Sequence, residues 1–115
     1  GIDFKRKVEI KKDGEKSKLP EKTILLTAIS KPKRLLEFLP KNIETIFFED
    51  HHTFTKDEID TILEKYREFG IVTTQKDFVK LEKFHLKNIY IMDLKIKLSE
   101  KLDFKELNTY LNTNS

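Results

Sequence analysis

Thr23-Ile24-Leu25-Leu26-Thr27-Ala28-Ile29 is a continuous apolar run followed at once by Ser30-Lys31-Pro32. A strand buried on both faces of a parallel sheet reads this way, because neither face can afford alternating charges. The same logic continues along the chain. Ser30 is placed to cap a helix whose first turn tolerates Pro32, with Leu35, Leu36, Phe38 and Leu39 as its buried side before Pro40. Ile43 to Phe48 reads as the second strand. Thr55 and Glu58 form a capping box ahead of a helix with Ile59, Ile62, Leu63, Tyr66 and Phe69 on one stripe, closed by Gly70. Ile71 to Thr74 is a short third strand, and Thr74 with Asp77 resembles a second capping pair opening a helix through Phe84. Asn88 to Leu94 is a fourth strand, and Phe104, Leu107, Tyr110 and Leu111 mark a closing helix.

Alternating strands and helices with short connections predict an α/β fold: a small, doubly wound, mostly parallel four-stranded sheet with helices on both faces. Ahead of it, Ile2, Phe4, Val8 and Ile10 alternate with charged residues as a strand does, and Asp13-Gly14 supplies a turn. The polar stretch Glu15 to Lys18 offers no strand of matching quality. The leading strand is therefore expected to pair outside this chain. The expected organisation is an interdomain linker with an extended strand over residues 1–19 and a C-terminal α/β domain over residues 20–115.

Composition narrows the classes. A chain of 115 residues has room for one modest core. Charged residues make up 37% of it, as much as the apolar share, which suits a heavily solvated surface. No run approaches the roughly 20 apolar residues that cross a bilayer. The opening Gly1-Ile2-Asp3-Phe4 shows no basic-then-apolar leader, so no signal peptide is expected, and the missing initiator Met suggests a piece of a longer protein. With no cysteine there is neither a disulfide nor a thiolate metal site. The net charge of +3 is uneven: Lys5, Arg6, Lys7, Lys11, Lys12, Lys16 and Lys18 face only Asp3, Glu9, Asp13 and Glu15, while the remainder balances. Such a segment suits phosphates, an anionic leaflet or simply water.

In open α/β sheets ligands bind beyond the carboxyl ends of the strands. Asp50-His51-His52, directly after the second strand, is the densest group of titratable side chains there. Three readings compete: a solvated loop, a metal site, and general acid–base work by one imidazole. The metal reading lacks a second ligand cluster, since only Asp93 is placed near a strand end to help. Thr73-Thr74-Gln75-Lys76-Asp77 is the second candidate, a helix start where Thr74 and Lys76 could hold an anion, or merely cap the helix. His85 and the many phenylalanines read as surface and core respectively. No Gly-rich phosphate loop exists among the three glycines.

Three blocks in this order carry a resemblance: L-T-A-I-S-K-P-K-R-L-L-E-F-L (26–39), F-F-E-D-H-H-T-F-T-K-D-E-I (47–59) and T-T-Q-K-D-F-V-K-L (73–81). Together they resemble the C-terminal domain of the tetraacyldisaccharide 4′-kinases, over about residues 20–95. The resemblance implies an enzyme that transfers the ATP γ-phosphoryl group, with Mg²⁺, to the 4′-hydroxyl of the lipid A disaccharide 1-phosphate. It implies work at the cytoplasmic face of the bacterial inner membrane, against an anionic surface. ATP and Mg²⁺ would be held mainly by a partner N-terminal P-loop domain outside this chain. Onto this sequence it maps Asp50 and His51 as catalytic, the histidine facing the nucleotide across a cleft and acting with a carboxylate of the other domain. Lys76, Thr74 and His52 are secondary candidates for substrate or phosphate binding. Gln75 stands where the family usually has Glu, and Phe78 where it has a small residue. Alternatives kept open are a metal-dependent phosphoesterase of the Asp-His-His kind and a non-enzymatic nucleic-acid or phosphate-binding module; the even charge beyond residue 18 argues against nucleic acid.

Overall fold

The computed structural model describes the backbone of residues 4–98 and the side chains of residues 8–93. Two compact units emerge, residues 1–8 with 94–115 and residues 9–93, and the account below concerns the second. In order come β1 (Phe4–Lys12), β2 (Glu15–Lys16), β3 (Thr23–Thr27), a 3₁₀ turn (Pro32–Phe38), β4 (Glu44–Phe47), α1 (Lys56–Lys65), β5 (Gly70–Thr74), α2 (Gln75–Leu81), a second 3₁₀ turn (Glu82–Phe84) and β6 (Ile89–Leu98). The expected closing helix lies outside the described residues.

A single mixed sheet of six strands is the frame, in the order β2-β1-β6-β5-β3-β4. Its parallel part is the expected one: β3 pairs in parallel with β4 and β5, and β5 with β6. All five residues of β3 are buried, as the opening apolar run requires. Alternation along β3 sends Ile24, Leu26 and Ala28 into one core with Ile71 of β5, and α1 (Ile59, Ile62) and α2 (Leu81) close over them with Phe54. The strand order reverses direction between β3 and β5, the position at whose carboxyl ends open α/β sheets bind ligands.

Several expectations change here. The leading strand is not left to pair elsewhere: β1 and β2 form an antiparallel hairpin, with Lys11 opposite Lys16 and Lys12 opposite Glu15, and β1 stands next to β6 in the sheet. Asp13 (φ 53°) and Gly14 (φ 83°) both adopt positive φ, the two-residue hairpin geometry that matches strand twist. Polarity concealed β2 because a two-residue outer strand needs no buried face. The segment after Ser30 is a 3₁₀ turn, not an α-helix, and none of its seven residues is buried. Its cap position falls on Lys31 in the left-handed region, with no side-chain bond, so Ser30 does not cap it. Only Leu39 just beyond it is buried, while Leu36 is exposed. The described α-helices therefore cover one face of the sheet rather than both. Gly70 does not close α1, which ends at Lys65; it opens β5 instead. A Cβ on Gly70 would lie 3.0 Å from Pro20 Cγ and 3.1 Å from Tyr90 Cε1, a tight fit in which those side chains would have to give by a few tenths of an ångström.

Candidate functional site

The loop from Glu49 to Thr55 leaves β4 at the carboxyl edge of the sheet. Its first turn is closed by the His52 amide donating to the Glu49 carbonyl at 3.0 Å. Closing it so tightly forces His51 to φ 66°, a left-handed conformation that costs a β-carbon-bearing residue about 1–2 kcal/mol. Successive histidines consequently diverge. His51 points outward, its side chain 77% exposed, with Nε2 3.5 Å from Asp50 Oδ2. His52 turns inward and is only 28% exposed.

What holds His52 is plain from its contacts. Its ring stacks on Phe48 at 4.5 Å between centroids and 13° between planes, and meets the edge of buried Phe54 at 5.6 Å. Nε2–H donates to the Glu58 carboxylate, 2.9 Å from Oε1 and 3.0 Å from Oε2. The Lys80 ammonium of α2 reaches the His52 carbonyl at 3.5 Å. Glu58 is the far half of the predicted capping box: Thr55 Oγ1 accepts from the Glu58 amide, and Glu58 Oε1 accepts from the Thr55 amide at 2.9 Å. The bond from His52, followed by that from the Thr55 amide, holds the Glu58 carboxyl below its ordinary pKa.

α2 contributes the second candidate segment. Lys76 Nζ stands 3.8 Å from Asp50 Oδ1, so Asp50, His51 and Lys76 share one exposed patch although 26 positions separate Asp50 from Lys76. Thr74 caps α2 as predicted, accepting from the Asp77 amide at 3.1 Å. Its hydroxyl proton is also spoken for, donated to Asp77 Oδ2 at 2.7 Å. The neighbouring Thr73 is fully buried, and its hydroxyl meets no hydrogen-bond partner among the described residues.

Asp77 is a residue whose main role local sequence did not reveal. It is fully buried at the carboxyl ends of β3 and β5, and its carboxylate accepts from the Thr27 hydroxyl, from Thr74 and from the Ala28 amide at 3.1 Å. The Thr74 spacing signalled a cap, but the bonds to Thr27 and Ala28 come from about fifty residues away and leave no local trace. Lys80, whose bond to the His52 carbonyl spans 28 positions, was missed for the same reason; the bond between His52 and Glu58 spans only six but crosses from loop to helix, where no periodic spacing rule applies.

Asp93, the carboxylate that a metal site would have needed, sits inside β6 rather than at its end and is paired with Lys11 at 2.8 Å. Among the described residues no three His, Cys, Asp or Glu side chains converge as metal ligands. None of the described helices is long and apolar enough to cross a membrane.

Comparison with known proteins gives a consistent result. The profile described as tetraacyldisaccharide-1-P 4′-kinase matches residues 3–112. The tetraacyldisaccharide 4′-kinase of Aliarcobacter butzleri is 59% identical over 113 residues, covering 98% of this chain and 36% of the relative. The enzyme of the same name from Campylobacter jejuni subsp. doylei is 38% identical over 96% of the chain and 33% of the relative. That of Flavobacterium psychrophilum is 36% identical over 74% of the chain and 26% of the relative. The chain thus spans about a third of the length of the curated relatives it matches. No solved structure matches it. A match of that extent places the chain in the tetraacyldisaccharide-1-P 4′-kinase family.

Proposed function

We propose that this chain is the C-terminal part of an ATP-dependent kinase acting on the 4′-hydroxyl of a tetraacyldisaccharide 1-phosphate, and that it supplies the imidazole of His51 to the reaction. One observation carries the assignment of the residue: of the two adjacent histidines, His51 is the one held outward at the carboxyl rim, beside a carboxylate and a lysine. Family membership supplies the reaction class. The chain carries no Gly-rich phosphate loop, and among the described residues no three His, Cys, Asp or Glu side chains converge. In this reading ATP and Mg²⁺ belong mainly to the part of the protein that the relatives possess beyond this chain.

Phosphoryl transfer asks three things of this side of a cleft. The sugar hydroxyl must be positioned, its proton accepted, and nearby charge balanced. His51 is the group to accept the proton, since a neutral imidazole is basic near neutral pH and its exposed ring can reach a partner surface. Asp50, at 3.5 Å from Nε2, orients the ring and stabilises it once protonated. Lys76 supplies a cation beside the pair. An imidazole standing alone on one side completes the site only when the other side closes on it, which limits wasteful hydrolysis. The leading basic segment and the whole protein's place at the cytoplasmic face of the inner membrane belong to the same reading.

The test is His51→Ala in the full-length protein. Turnover should fall by about 10²- to 10⁴-fold, the usual worth of a positioned acid–base group, while the thermal unfolding midpoint stays unchanged. Turnover within twofold of wild type would remove His51 from the reaction. The separate 115-residue chain is expected to show no kinase activity.

A further inference from the structure

Of the two adjacent histidines, the second is held inward, its side chain 28% exposed against 77% for the first. His52 is packed between Phe48 and Phe54, its ring nitrogen is bound to Glu58, and its carbonyl faces Lys80. These contacts tie it to three separate elements: the end of β4, the first turn of α1, and α2. Its amide closes the turn that twists His51 to φ 66°. A left-handed β-carbon-bearing residue persists only where its surroundings over-determine it, and the exposed His51 ring, 3.5 Å from Asp50, is held too loosely to do so. The firmer restraint is on the next residue along, whose amide closes the turn.

We infer that His52 and Glu58 form a positioning clamp for the proposed proton acceptor: the aromatic seat and the bond from Nε2–H to the carboxylate fix the backbone that aims His51. The inference rests on the proposed role of His51 and adds a positioning residue to it. His52 is thereby taken out of the group of substrate-binding candidates. The capping box gains a second purpose, because one carboxylate both starts α1 and holds the loop before it. Placing a reacting group about 1 Å off its productive position costs on the order of a hundredfold in rate, so a loosened clamp is felt in turnover without any lost substrate contact.

Two substitutions separate the clamp from the fold. His52→Phe keeps a ring on Phe48 and removes the bond; Glu58→Gln keeps a residue able to complete the capping box and weakens the bond. In the full-length protein each should lower kcat by roughly ten- to a hundredfold with KM for both substrates within about twofold. The deciding measurement is a double-mutant cycle with His51→Ala. If the clamp acts through His51, adding His52→Phe to His51→Ala lowers kcat no further. Additive losses, or single variants with wild-type kcat and undiminished thermal stability, overturn the clamp while leaving His51 in place. If His51→Ala itself keeps near wild-type turnover, the parent reading fails instead, so the two failures are distinguishable.

Discussion

Two aspartates on the same edge of one sheet are used in opposite ways. Asp77, in the first turn of α2, is fully buried against the end of β3, and two hydroxyls and an amide converge on its carboxylate. Asp50 stands on the rim with a 36% exposed side chain and only loose contacts, 3.5 Å to His51 and 3.8 Å to Lys76. A buried carboxylate is tolerated only when its oxygens are satisfied, and once satisfied it fixes the groups around it. A rim carboxylate is screened by water, adds little to stability, and stays free to follow a change of charge on its neighbour. The difference teaches that the brace and the reactive patch are separate: Asp77 holds the strand end and helix still so that Asp50 and His51 need not.

The sharpest way to break the comparison is to truncate both. Asp77→Ala leaves the Ala28 amide and the Thr27 hydroxyl unpaired in the interior and should cost roughly 2–6 kcal/mol, at about 1–3 kcal/mol for each buried donor left alone. Denaturant unfolding of the intact protein measures it, and a change below about 0.5 kcal/mol would end the view of Asp77 as a brace. Asp50→Ala should show the reverse pattern, a turnover loss of about tenfold with stability altered by less than about 0.5 kcal/mol. Equal stability losses from the two variants would erase the distinction.

The smallest effect concerns pH and Glu58. Its folded-state pKa lies below the ordinary value, so its charged form is favoured by folding. That contribution is present above the unfolded-state pKa and fades as pH falls through the folded-state value. The stability gap between wild type and Glu58→Gln should therefore close in the acid range, as pH falls through the folded-state value of Glu58. A gap that persisted once Glu58 is protonated would contradict the arrangement. Because Glu58 lies at the surface, the gap should be small beside that for Asp77→Ala.

Legibility followed how local each cause was. The apolar run from Thr23 to Ile29 announced a strand covered on both sides, and the spacing of Thr55 with Glu58 and of Thr74 with Asp77 announced two helix starts, since a cap is a bond between residues three apart. The candidate loop was legible from composition alone, as titratable residues directly after a buried strand. Failure came where the partner was remote or the signal small. The apolar positions Leu35, Leu36 and Phe38 suggested a buried helix face, yet the segment is a 3₁₀ turn with no buried residue. β2 escaped because two polar residues carry no periodicity.

By itself the sequence determined the alternation of strands and helices, the two caps, and the family, because each is written in residues close together or in ordered blocks. Tertiary structure alone decided that the leading strand enters the sheet, that Asp77 reaches Thr27 and Ala28, and that adjacent histidines part company, one outward and one seated on Phe48. The physical reason is the same in each case. Backbone pairing, buried hydrogen bonds and side-chain direction depend on which distant segments the packed core brings together, and a linear spacing rule records nothing of that.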